Sequence, residues 1–181
     1  MDGISGRANM HLLVATDGSI DPDKAANFAR ILAGPEGLIT VSTVVRVPRT
    51  LLSDLRTRFG EMSPPHVDLD AEYVGASMGA RDGVPPRSWP GDDAIVAQYL
   101  GDKRIERCRP TVEAIRSTGG TAESMVREGD DVAADIVALA AEIEADVIVV
   151  GSHGGGGFQG LLGSTGAKVV RRATCPVLVI R

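Results

Sequence analysis

The run DVIVV at Asp146–Val150 constrains the chain more than any other segment. A strand made of Val-Ile-Val-Val has no polar face to give to water, so it is stable only with protein layers packed on both sides. It is followed at once by GSHGGGGFQGLLGST, a helical segment from Ser164 to Ala173, and a second apolar run, Val177 to Ile180. Two strands joined through a helix run in the same direction, so this C-terminal stretch predicts a parallel βαβ unit.

The same pattern recurs upstream. His11 to Thr16 (HLLVAT) reads as a buried strand that stops at Asp17-Gly18-Ser19. Asp21 is a suitable N-cap and Pro22 suits the first helical turn; Ala25, Phe28, Ala29 and Leu32 then give an apolar stripe before Gly34-Pro35 ends the helix. Leu38 to Val47 is rich in β-branched residues and predicts a second strand, and Thr121 to Val126 a third. A helical pattern covers Asp92 to Ser117, with Pro110 expected to kink or divide it because proline lacks the amide donor. Asp130 or Asp131 caps a helix whose Val132, Ile136, Leu139, Ala140 and Ile143 form one stripe. Five strands alternating with four helical segments predict an α/β fold: a doubly wound parallel sheet in the order 3-2-1-4-5 with helices on both faces.

Composition removes several function classes. A net charge of -5 and a pI near 5.2 argue against a large basic face for nucleic acid or an anionic membrane. Aromatics are only 3%, too few for a base-stacking platform. Cys108 and Cys175 lie far apart and match neither a metal hook nor a disulfide framework. The first residues lack the apolar core of a signal peptide, and no run of about 18 apolar residues occurs, so a cytoplasmic protein without membrane contact is expected. Residues 1–9 are expected to form a flexible arm and 10–181 one domain, interrupted by an irregular insertion over about 48–91 that carries eight glycines and prolines between Pro64 and Pro90.

In an open α/β sheet, ligands bind beyond the carboxyl ends of strands where the strand order reverses. The order 3-2-1-4-5 brings two loops to that point, Asp17-Gly18-Ser19 and the stretch from Gly151 onward. Glycines let backbone amides approach an anion, and the helix start at Gly163-Ser164-Thr165 adds unpaired N–H groups and hydroxyl donors, so phosphate is the expected ligand. Asp17, an acceptor, suits an adenine or ribose group or a Mg²⁺ ion; the competing reading is that it caps the turn at Gly18. The GK[ST] ending of a P-loop is absent, and a dinucleotide fingerprint would open the fold rather than follow its fourth strand. His153 has no second His or Cys at ligand spacing, so no metal site is expected and a polar contact beside phosphate is. Lys168 is within range of a polyphosphate, Arg171 and Arg172 read as solvated, and Cys175 as a small packed residue. No Ser/His/Asp or Cys/His arrangement marks a catalytic residue.

The combination of VATDGS at the first strand with DVIVVGSHGGGGFQGLLGSTGAKVVRRATCPVLVIR at the end resembles the universal stress protein family, in its ATP-binding type with the motif G-x2-G-x9-G-[S/T]. The likeness covers residues 10 to 47 and about 92 to 181. It implies a nucleotide-binding, Rossmann-like fold of the adenine nucleotide alpha hydrolase kind. It further implies an adenine nucleotide, ATP or ADP or AMP with or without Mg²⁺, contacted by Asp17, by Val44 on the second strand, by Gly151, His153 and Gly154, and by Gly163, Ser164 and Thr165, with Val150 beneath the ligand. This sequence departs from the motif in one place, with eight residues between Gly154 and Gly163 where the family has nine.

Three functions follow as alternatives. The first is a stress-response regulator in which nucleotide occupancy modulates contact with a regulatory partner of unknown identity. The others are an interaction scaffold of the same fold that does not bind nucleotide, and a slow ATPase. The final strand would lie on the sheet edge with unpaired backbone groups, and the resemblance also implies a homodimer through it, burying Val177 and Val179.

Overall fold

The structure is a computed structural model that describes residues 10–48, 50–54, 92–152 and 163–181. Its elements are β1 (His11–Ala15), α1 (Pro22–Ala33), β2 (Leu38–Val45), α2 (Asp92–Ser117), β3 (Thr121–Glu128), α3 (Val132–Glu142), β4 (Val147–Gly151), α4 (Ser164–Arg172) and β5 (Val177–Ile180). Two compact units are distinguished, one of Met1–Val47 with Gln98–Arg181 and one of Pro48–Ala97. In the smaller unit the described residues form a helical turn, with Asp54 N donating to Thr50 O at 2.8 Å, and the first residues of α2. The rest of the expected insertion, like the N-terminal arm, lies outside the described residues.

The larger unit holds a five-stranded sheet ordered β3-β2-β1-β4-β5, every neighbouring pair parallel. This is the predicted α/β arrangement. Alternation along β1 sends Leu12 and Val14 into one apolar cluster with α1 and α2, and Leu13 and Ala15 into another with α3 and α4. Leu12, Leu13 and Val14 are all inaccessible to solvent. Each such side chain contributes about 1.5–3 kcal/mol relative to leaving it in water, which no one-layered sheet would recover. The two central strands are joined at their start by Asp146, whose Oδ2 accepts from His11 N at 2.7 Å while its own amide donates to His11 O at 2.8 Å.

One expectation is corrected and a second is narrowed. Phe28 and Leu32 do not face the core: α1 buries Ala25, Ala26, Ala29 and Ala33, while Phe28 is 45% exposed, Leu32 37% and Ile31 69%. Both stripes share Ala25 and Ala29, and the one that wins is lined by methyl groups alone, which let the helix axis come close to β1. Of the two outcomes expected at Pro110, a kink or a division, division is excluded: α2 runs unbroken from Asp92 to Ser117. Interior proline costs a helix about 3 kcal/mol, and the buried residues flanking it, Cys108, Thr111, Val112 and Ile115, offset that by holding both sides onto the sheet.

Of the two capping candidates before α3, Asp131 is the cap, its Oδ1 accepting from Ala134 N at 3.3 Å. Asp130 instead pairs with Arg46 at 3.0 Å. Arg172, read from sequence as solvated, donates from Nη1 to Asp131 Oδ2 at 2.7 Å, and this hydrogen bond is the main reason the Asp131 carboxyl is held below its usual range.

Two outcomes are expected. Ala29→Leu should destabilise by about 1–3 kcal/mol in urea unfolding, because the added side chain has no space between α1 and the sheet. Burial pushes the Cys108 thiol up to about 11, so folding favours its neutral form. That contribution is complete below pH 9 and is lost as pH rises from 9 through 11. The urea midpoint of the wild type should therefore fall more steeply over that range than that of Cys108→Ala.

Candidate functional site

A cleft of about 480 Å³ opens at the carboxyl ends of β1, β2 and β4, at the point where the sheet order reverses. That volume is in the range of small-molecule sites. One part of its wall is apolar: Ala15 from β1, Val44 from β2, Val132 and Ile136 from α3, and Val150 from β4. The remainder is polar, from Thr16, Asp17 and Ser19 after β1, Ser42 on β2, Arg107 on α2, and Gly163, Ser164 and Thr165 at the start of α4.

The turn after β1 is built by its own side chains. Thr16 Oγ1 accepts from Gly18 N at 2.9 Å, and Asp17 Oδ1 accepts from Ser19 N at 3.0 Å and from Ser19 Oγ at 2.5 Å. Gly18 sits at φ 96°, a conformation costly to any residue with a side chain, and a Cβ there would meet Arg107 Cγ at 3.5 Å. Asp17 thus caps the turn, as one reading of the sequence had it, and also lines the cleft, as the other did. The two roles use one carboxylate, since both hydrogen bonds fall on Oδ1.

The helix starts differ in a way that bears on anions. Asp21 caps α1 and Asp131 caps α3, each with a carboxylate, whereas α4 begins at Gly163 with no side-chain cap and no acidic residue in its first turn. The first amides of a helix have no partner within it, and the helix dipole adds a partial positive charge there. The loop is tied at its ends: Ser152 N donates to Ile180 O at 2.7 Å and Gly163 N to Ser152 O at 3.0 Å.

Of the residues predicted from sequence, Asp17, Val44, Val150, Gly151, Gly163, Ser164 and Thr165 all line this one cleft. His153 and Gly154 lie outside the described residues. Lys168 lines a second, smaller cavity of about 230 Å³ together with Arg46, Asp130 and Asp131. That cavity shares Val132 and Thr165 with the cleft. Burial raises the Cys175 thiol above its usual range.

Sequence reasoning missed Ser42 and Arg107. Ser42 lies two residues before Val44, so strand periodicity puts both side chains on one face and could have found it. Arg107 had no such signal, being one of several arginines on a long helix; the structure brings its Nη1 to 3.4 Å from Thr43 Oγ1 on β2. Among the described residues, no group of three or more His, Cys, Asp or Glu is placed to hold a metal ion, and no helix is long and apolar enough to cross a membrane.

These features define a doubly wound α/β protein with a ligand-sized cleft at its topological switch point. The chain belongs to the Universal stress protein family, whose family model matches residues 9–181. It is 32% identical over 143 residues to universal stress protein Rv2623 of Mycobacterium tuberculosis, a match covering 76% of this chain and 44% of that protein. The chain therefore spans less than half the length of the first curated relatives it matches. A universal stress protein family protein from Arabidopsis thaliana, solved with AMP bound, superposes with a TM-score of 0.51 at 17% identity, covering 94% of this chain and 90% of that one. A universal stress protein in complex with cAMP gives a TM-score of 0.50 at 21% identity, covering 96% and 97%. Likeness at these identities establishes the fold.

The capping role of Asp17 can be tested by substitution. Asp17→Asn keeps an oxygen acceptor for the turn and should change stability by less than about 0.5 kcal/mol, whereas Asp17→Ala should cost about 1 kcal/mol in urea unfolding.

Proposed function

We propose that this chain is an adenine-nucleotide-binding regulatory protein of the cytoplasm, with ATP as its ligand. The observation that carries the reading is the pairing, in one cleft, of an apolar wall with a helix start that has no side-chain cap. A purine is planar, weakly hydrated on its faces and polar at its edge, which suits the wall of Val44, Val132, Ile136 and Val150. A phosphate chain suits the start of α4 at Gly163, where Ser164 and Thr165 offer backbone amides and hydroxyls. In this reading Asp17 accepts from ribose hydroxyls or faces an accompanying Mg²⁺, and His153 and Gly154 complete the phosphate side. The AMP and cAMP held by the two solved family members support the ligand class.

Regulation is favoured over catalysis by the chemistry available. The cleft's described lining offers hydrogen-bond donors and one carboxylate, Asp17, whose Oδ1 is taken up by the amide and hydroxyl of Ser19 within its own turn, so occupancy itself is the output, read by a partner. Shortening of the loop between Gly154 and Gly163 by one residue favours the second reading, a scaffold that keeps the fold without the ligand. Assembly through β5 belongs to the same proposal, because β5 ends the sheet and its Val177 and Val179 are only partly buried.

Mass spectrometry of the small molecules released on denaturing the purified protein should find an adenine nucleotide; its absence, with no binding of added ATP, favours the scaffold. Gly163→Val should weaken ATP binding at least about tenfold by calorimetry, or about 1.4 kcal/mol, with the fold intact. Gly163 has ordinary dihedrals, φ -56° and ψ 156°, so valine adds bulk there without backbone strain. Unchanged affinity would put the phosphates elsewhere. Val179→Lys should convert a dimer to a monomer in light scattering if the edge strands pair.

A further inference from the structure

Arg107 brings into the cleft a positive charge that no described carboxylate pairs with. Arg46, Arg109, Arg127 and Arg172 each pair with an acidic residue, and Arg116 spends two donors on Ala122 O. Arg107 makes no ion pair among the described residues. Its guanidinium has one hydrogen bond, Nη1 donating to Thr43 Oγ1 at 3.4 Å, beyond the ordinary range of about 2.7–3.2 Å. Glu106, its chain neighbour, is paired with Lys103 at 2.6 Å, and Asp17 in the cleft lining gives its Oδ1 to Ser19. A guanidinium holds five N–H donors in a planar fork and does not lose its proton, so a half-buried one without an anion beside it is costly.

Topology says which part of the cleft that charge serves. A Cβ at Gly18 would lie 3.5 Å from Arg107 Cγ and 3.7 Å from its Cα, so α2 and the turn after β1 approach each other closely here. Cys108, next along α2, packs with Val41 in the cluster under α1 and α2, and Thr43 shares the face of Val41. Arg107 therefore reaches the cleft from that layer, over the end of β2. The apolar wall of Val44, Ile136 and Val150 belongs to the cluster on the other face of the sheet, where α4 also packs through Val169. The start of α4 is tied to the end of β4, Gly163 N donating to Ser152 O at 3.0 Å. Because β1 lies between β2 and β4, the Asp17 turn stands between Arg107 and the start of α4.

We propose that Arg107 forms a second anion subsite in the cleft, taking a phosphoryl group on O2′ or O3′ of the ribose of an adenine nucleotide whose 5′-phosphate lies at the start of α4. The inference rests on the nucleotide reading above and adds to its ligand class the adenine nucleotides phosphorylated on the ribose. With the base against the apolar wall and the 5′-phosphate at α4, the ribose falls at the Asp17 turn and presents its two adjacent oxygens away from α4, toward Arg107. One hydroxyl is enough for Asp17, and the other oxygen carries the phosphoryl group. An anion so near the Asp17 carboxylate would be repelled without a cation. The guanidinium supplies that cation, and its fork pairs with two phosphoryl oxygens at once.

Calorimetry with AMP, adenosine 2′,5′-bisphosphate and adenosine 3′,5′-bisphosphate tests the subsite. One of the bisphosphates should bind the wild-type chain at least about tenfold more tightly than AMP, the scale of a hydrogen bond to a charged group. Arg107→Met keeps the apolar stem against Gly18 and removes the charge, and in this variant the advantage over AMP should vanish. Arg107→Lys, which keeps a charge without the fork, should restore part of it. Equal wild-type affinity for AMP and both bisphosphates overturns the assignment without recourse to any variant. So does an advantage that survives in Arg107→Met, or a loss there shared equally by AMP and the bisphosphates, which would put Arg107 on the 5′-phosphate. Failure of the wild-type chain to bind AMP, ATP or either bisphosphate overturns the nucleotide reading itself, and the Arg107 subsite with it.

Discussion

Everything in this structure depends on burying both faces of β1 and β4. Leu12 and Val14 on one side of β1, and Leu13 and Ala15 on the other, oblige the chain to lay helices over the sheet twice. Parallel strands need long crossovers, and each crossover supplies one of those helices. The same arrangement creates the site: where successive crossovers leave from β1 and β4 in opposite directions, the loops part and leave a cleft at the strand ends. Site and core are thus consequences of one packing constraint.

The cleft carries two kinds of wall because two kinds of element end there. Strands and α3 contribute Val44, Val132, Ile136 and Val150, which continue the apolar cluster beneath α3 and α4 out to the cleft. Helix α4 contributes backbone, and what matters about its start is the absence, among the described residues, of a capping carboxylate such as those of Asp21 and Asp131 that close α1 and α3. A capping aspartate there would compete with an incoming anion. The bridges around the smaller cavity, Arg46 to Asp130 and Arg172 to Asp131, tie β2 and α4 to the start of α3 at the rim, where exposed pairs orient more than they stabilise.

The sheet and most of the site were legible in the sequence, for local reasons. Five apolar runs separated by helical periods fix a parallel α/β sheet, and the order 3-2-1-4-5 puts the Asp17 turn and the start of the glycine loop at one switch point. Asp17 was ambiguous between cap and ligand contact, and the structure shows why: its Oδ1 closes the turn while the residue remains in the cleft wall. The apolar stripe of α1 was misread because Phe28 and Leu32 outweigh alanine in hydrophobicity, while the interface selected for close approach and turned the alanines inward. That Pro110 does not divide α2 was not legible, because its local penalty is visible in the sequence and the burial that outweighs it is not.

By itself, then, the sequence determined what repeats along the chain: strand and helix periods, the cap at Asp21, a cap before α3 at Asp130 or Asp131, the glycine-rich segment leading to α4, and through them the layered fold and the location of the cleft. The tertiary structure alone decided which stripe of α1 faces inward, that α2 passes through proline unbroken, and that Arg107 meets β2. The division is physical. Periodicity and capping depend on residues within a turn or two of each other, whereas pairing and burial at a given atom depend on elements that meet only after the chain has folded.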